Sequence, residues 1–363
     1  MKRHSGSLIL LVCSACLYTG CGYAGPEKAV RRELDAIQKL DENTITSFVS
    51  YEDVQSAAGE TVSAEPDATD AIKLFFKNFK YHIDSSSQSQ DGTTATVTVS
   101  ITNLDAKALA TDLCQEIYQN SLNYGSSADQ DTTVSSFSLM KECLEDHDYP
   151  MATTTATFHL TEKDNSWKIE ANAQLENELA GGLVEYLSDP YLLAPEDILD
   201  LTLAPFREFT AQDWQNYLNI SDVFAVGTGQ ADTIDQLLFQ QIAQFFDYEI
   251  TDTLQDGDTA QATVNITSLD LNAVIESSLG PLRDYGTSTE SIRDSEDDFN
   301  EKTSQILMDA LENNVSSTVT PVTILLYNDG HTWDPVLDES FTDALLGNLD
   351  ESLSSLNEAV KSD

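Results

Sequence analysis

The chain has 363 residues, a formal charge of −44 and 40% apolar side chains, enough length for two ordinary domains and enough apolar mass to fill real cores. A surface that acidic repels phosphate backbones and anionic headgroups, which excludes nucleic acid as a partner and points to a heavily solvated exterior.

The first residues read as a targeting segment. Lys2, Arg3 and His4 form a positive head, and residues 8–17 are an apolar run too short to span a bilayer as a mature helix. Leu17-Tyr18-Thr19-Gly20-Cys21 then resembles the lipobox of bacterial lipoproteins, in which a small residue precedes the cysteine that receives diacylglycerol. Gly20 fits that pattern, whereas Tyr18 stands where an aliphatic residue is usual. The expectation is a signal peptide over 1–20, a lipid on Cys21, a tether over 21–25, and a chain held on the outer face of the cytoplasmic membrane. An ordinary cleaved signal with an incidental cysteine is the alternative. Cys13 and Cys16 leave with the signal, so Cys114 and Cys143 remain in the folded part. An even pair in an exported chain suggests a disulfide, and two unrelated buried thiols are the competing reading.

Gly25-Pro26-Glu27 opens a helix, because proline suits the first turn and glutamate the positive end of the dipole. Val30, Leu34, Ile37 and Leu40 mark its buried stripe. Pro195-Glu196 repeats the start, Leu203, Phe206 and Phe209 repeat the last three stripe positions, and Ile45 and Phe48 recur as Trp214 and Tyr217. The spacing is constant throughout, as a duplication requires. Residues 55–69 are polar and read as a loop. Ile72, Phe75 and Phe79 give the next helix, answered by Phe239, Ile242 and Phe246, and each is followed by a strand beginning Tyr81-His82-Ile83 or Tyr248-Glu249-Ile250.

A turn over 85–92 leads into the clearest strand, residues 93–105, where Ala95, Val97, Val99 and Ile101 alternate with hydroxyl residues. Its copy over 258–270 keeps the phase with Ala260, Ala262, Val264 and Ile266, and Asp105 and Asp270 stand ready to cap the helices that follow. Helices are expected over 105–123, 131–146, 270–283 and 289–314. Second hairpins turn at Lys163-Asp164-Asn165 and Asn328-Asp329-Gly330, and closing helices cover 175–183 and 341–349, with the domain junction over 188–194. The predicted architecture is α+β: two tandem duplicated domains, 26–188 and 195–360. Each is a curved antiparallel sheet of about four strands packed by helices, with a helical insertion between its two hairpins.

This order looks like the cone-shaped, cystatin-like fold of the nuclear transport factor 2 superfamily. More narrowly, the PEKAV start, the ATVTVSITNLD strand, the KDNSWKIE hairpin and the closing NELAGGL resemble a family of uncharacterised Gram-positive lipoproteins built from such domains. In that superfamily Phe75, Phe79, Tyr81, Phe158 and Trp167, with Phe246, Tyr248, Tyr327 and Trp333, correspond to positions that line a cavity. Filling the core is the plainer role for them.

Catalytic signals are thin. His82, His147, His159 and His331 have no counterparts in the other repeat, and neither a Cys/His metal set nor a nucleophile or phosphate-loop motif is present, so no catalytic residue, metal ligand or cofactor is expected. Asp256-Gly257-Asp258 and Asn328-Asp329-Gly330 read as turns rather than calcium loops. The expected function is a surface-anchored, non-enzymatic module that meets an extracellular protein, glycan or small apolar molecule. An isomerase or dehydratase acting in the cone, and an envelope scaffold or stress component, are the alternatives.

Overall fold

The structure is a computed structural model that describes residues 25–40, 66–122, 136–219, 231–349 and 352. The signal peptide, Cys21, Ile45, Phe48, most of the 55–69 loop and the last residues of the second repeat lie outside the described residues. Within them the fold is α+β, with two four-stranded antiparallel sheets, each packed by helices. The chain divides into two compact units, with the boundary along the sequence between Leu192 and Leu193.

In the first unit, α1 (Pro26–Gln38) buries Val30, Leu34 and Ile37 against the sheet. It stops short of the expected Leu40, whose backbone is left-handed at φ 60° and outside the helix. Next come α2 (Pro66–Phe75), β1 (Lys80–Gln88), β2 (Thr94–Leu104), α3 (Ala106–Ser121) and α4 (Ser136–Asp146). After them run β3 (Met151–Lys163), β4 (Ser166–Ile169), α5 (Ala173–Leu179) and α6 (Leu183–Leu187).

In the second unit, α7 (Pro195–Leu203) runs into a 3-10 turn over Ala204–Glu208, where Pro205 prevents the α-helix from continuing. It is followed by α8 (Ala211–Leu218), α9 (Ala231–Phe245), β5 (Asp247–Asp256), β6 (Thr259–Leu269) and α10 (Leu271–Gly286). The unit closes with α11 (Glu296–Glu312), β7 (Ser317–Asn328), β8 (Trp333–Val336) and α12 (Glu339–Leu345).

Both sheets run in simple sequence order, β1-β2-β3-β4 and β5-β6-β7-β8. Their registers correspond residue for residue: Tyr81 faces Ile101 as Tyr248 faces Ile266, and Leu160 faces Ile169 as Leu326 faces Pro335. Each edge strand carries a bulge at the same point, between Ile83 and Ser85 and between Ile250 and Asp252. The inward residues of β2 and β6 are the alternating Ala, Val and Ile expected from the sequence, all at most 5% exposed. Asp105 and Asp270 do cap: the Asp105 carboxylate accepts from the backbone N–H of Lys107 and Ala108, and Asp270 from that of Ala273.

Other boundaries differ as well, among them the helix from Pro66 inside the expected loop and the closing helix over Glu339–Leu345, and three have a plain local reason. The first strand runs through the serines to Gln88, because the bulge restores its pairing and the turn is made by residues 89–93 with Gly92 at φ 72°. The expected helix over 175–183 breaks in two at Gly181 and Gly182, which hold φ of 66° and 89°. The helix expected from 289 begins instead at Glu296, where Ser295 and Asp298 form a capping box.

Candidate functional site

The nine aromatic residues expected to line pockets fall into three groups. Phe75, Phe79, Phe158, Phe246, Tyr248 and Trp333 are buried, and Tyr81 and Trp167 are half-buried against the first core. Several of the buried rings pack on other rings, with Phe75 4.8 Å from Phe76 and Phe246 5.1 Å from Trp214, which is the edge-to-face packing of filled cores. Tyr327 cannot face the interior, because Leu326 beside it holds the inward position and successive strand residues alternate; it is 49% exposed on the outer face.

Two of these tyrosines share a role that the sequence reading missed. Tyr81 donates its hydroxyl to Asp35 at 2.5 Å, and Tyr248 donates to Asp200 at 2.6 Å, so in each unit the first helix is tied to the first strand. Asp200 lies one helical turn nearer to its opening proline than Asp35 does, so the two share a helix face but not an aligned position. That one-turn offset hides the pair from a residue-by-residue comparison of the repeats. In the second unit Arg207 completes the arrangement, donating to Asp247 at 2.7 Å and lying 4.0 Å from the centre of the Tyr248 ring. Burial, then the hydrogen bond to the aspartate, raises both phenol pKa values above the usual 10. The phenols therefore stay protonated donors at neutral pH, which suits a structural tie rather than proton transfer.

A second cluster also went unseen in the sequence. Asp112 on α3 accepts from the Tyr149 hydroxyl at 2.9 Å and sits 3.1 Å from His147 Nδ1, with Cys143 one turn before that histidine on α4. A Cys, a His and an Asp together suggest a nucleophile and its base, but burial pushes the Cys143 thiol up to about 11, the wrong direction for attack. Cys143 and Cys114 are free thiols, which corrects the expected disulfide. The reason is helical: Cys143 senses Asp112 and Glu116, and at 100° per residue Cys114 points to the opposite flank of α3.

A cleft of about 390 Å³ opens between α10 and α11, lined among others by Ala273, Ser277, Pro281, Ile306, Asp309 and Asn313. None of the nine aromatic candidates borders it. Among the described residues no group of three or more His, Cys, Asp or Glu is placed to hold a metal, and no helix is long and apolar enough to cross a membrane.

The outer faces of the two sheets differ. In the first unit the row across the strands reads Ser87, Thr96, His159, followed by Glu170, whose N–H bonds the His159 carbonyl. In the second unit the row in the same register reads Leu254, Gln261, Leu325 and Val336. Leu254 is 65% exposed, Leu325 44% and Val336 43%.

No family model matches the chain, and no curated protein matches it. Among solved structures, one described as a candidate lipoprotein (ycdA) of Bacillus subtilis is similar over 74% of this chain and 95% of its own, at 10% identity and a TM-score of 0.26. That score is too low for the likeness to carry fold or function to this chain.

Proposed function

We propose that the chain is an exported, lipid-anchored binding protein that works through the outer surfaces of its two units. The observation that carries this reading is the state of the interiors. The inward faces of both sheets are occupied by packed aliphatic and aromatic side chains, so recognition falls to the outside. The positive head, the short apolar run and the lipobox-like residues 17–21 support anchoring through Cys21, with 1–20 as the signal and 21–25 as the tether. The same reading takes 26–188 and 195–360 as nuclear transport factor 2-like domains. In each unit, opening helices, a strand hairpin, two further helices, a second hairpin and a closing helical segment follow in that order, which supports it.

Labelled fatty acid supplied to cells should enter the protein and be lost in Cys21→Ala. Labelling that persists in that variant would overturn the anchor.

A further inference from the structure

We infer that the outer face of the β5–β8 sheet is a docking surface for a cationic protein segment that also bears apolar side chains. This rests on the binding-protein reading above and names the surface and the class of partner.

The registers place Leu254, Gln261, Leu325 and Val336 directly across from one another, one from each strand. Opposed residues of an antiparallel pair point to the same face, so they form one continuous row, about 14 Å long at the usual strand spacing. The next row reads Asp256, Thr259, Tyr327 and Asp334, which sets an aromatic ring between two exposed carboxylates. On the other side of the apolar row Asp252 faces Thr263, and further along β5 Glu249 faces Asn265. The face is thus an apolar stripe with a carboxylate rim.

The first unit supplies an internal control. It has the same strand order, register and bulge, yet its corresponding row is Ser87, Thr96, His159 and Glu170. The fold therefore does not require apolar residues at these outward positions. Exposed leucine and valine in a solvated sheet cost solubility, and a contiguous patch of them marks an interaction site.

Charge selects the partner. The four strands carry no lysine or arginine, and the charged side chains at their outward positions include Asp252, Asp256, Asp334 and Glu249. A second copy related by a two-fold axis would press these carboxylates against their own images, and an anionic lipid surface would be repelled. A segment with lysine or arginine flanking leucine-like side chains satisfies both the stripe and the rim.

The test uses the full-length protein in detergent and three short labelled peptides alternating leucine with lysine, serine with lysine, and leucine with glutamate. Fluorescence anisotropy should show the leucine–lysine peptide binding at least about tenfold tighter than the serine–lysine one, as burial of two leucines allows. Added salt should weaken the binding of both lysine peptides, and the leucine–glutamate peptide should fail to bind. The double variant Leu254→Ser with Leu325→His, which installs the first unit's own residues, should abolish the leucine preference.

Equal binding of the two lysine peptides, a preference that survives the double variant, or dimers that form through this face in sedimentation would each overturn the proposal. The fatty-acid labelling separates the two readings. A label that depends on Cys21 with no leucine preference sinks the docking surface alone, and a label that persists in Cys21→Ala with the preference intact sinks the anchor alone.

Discussion

The two sheets agree on the inside and disagree on the outside. Ala95, Val97, Val99 and Ile101 answer Ala260, Ala262, Val264 and Ile266 on the buried faces, whereas Ser87, Thr96 and His159 answer Leu254, Gln261 and Leu325 on the wet ones. The inward residues of β2 and β6 are held by close packing, and they change little between the two sheets. An outward residue is free of that constraint, so a systematic change there reports what the surface meets.

The comparison breaks first at the cores. Phe206 packs on Phe209, Trp214, Tyr217, Phe246 and Phe341, while its counterpart Ile37 is an aliphatic side chain in the first core. Phe206→Ala should cost about 4 kcal/mol and Ile37→Ala about 3 kcal/mol. The loss should be confined to the mutated unit when hydrogen exchange is read peptide by peptide. A loss spread evenly over both units would show that they unfold as one.

Next in size is a pair of glycines. Gly347 and Gly181 follow the closing helices with φ of 70° and 66°. A Cβ on Gly347 would lie 2.4 Å from the Leu269 carbonyl oxygen, whereas one on Gly181 would meet nothing nearer than Ala106 at 3.4 Å. Gly347→Ala should cost about 3 kcal/mol, strain plus a backbone clash, and Gly181→Ala about 1 kcal/mol, strain alone. Equal losses in denaturant titrations would contradict the asymmetry.

The tyrosine ties come third. Tyr81→Phe and Tyr248→Phe each remove one hydrogen bond to a water-accessible aspartate, an expected loss of about 1 kcal/mol. Faster exchange in β1 or β5 is the readout, and unchanged protection would show that the tie holds nothing.

A smaller effect is confined to the first unit's hairpin. Asp91 is held down at about 2, chiefly by the Ser89 hydroxyl and then by Thr93. A depressed carboxylate contributes stability above its unfolded pKa of 3.8 and loses it as pH falls toward 2. Protection of the 89–93 turn should therefore fade over that window in the wild type and show no such step in Asp91→Asn. Last, the thiols exist only in the first unit. Alkylation of the denatured, unreduced protein should add two labels, at Cys114 and Cys143, and the absence of both would restore the disulfide.

Much of this was legible in the sequence because similar stretches recur in it and could be read against each other. The period-two strands, the prolines that open α1 and α7, and the aspartates that cap α3 and α10 all act through neighbours a few residues away. What escaped depends on rotation or register. The aspartates tied to Tyr81 and Tyr248 sit one turn apart along their helices, so alignment separates what the fold brings together. The cluster of Asp112, Cys143, His147 and Tyr149 joins residues far apart in sequence. The apolar row crosses four strands, and its members become neighbours only when the pairing is known. The disulfide expectation failed because counting cysteines says nothing about which flank of a helix each one occupies.

The paired bulges have one further consequence. β1 and β5 are the long edge strands of their sheets, and an unbroken flat edge offers its free N–H and C=O groups to any passing strand. The irregularity after Ile83 and after Ile250 bends and twists each edge out of register with such a template. The opposite edges, β4 and β8, are four residues long, and β8 carries Pro335. The same irregularity, present in both units, makes each long edge a poor template for strand addition.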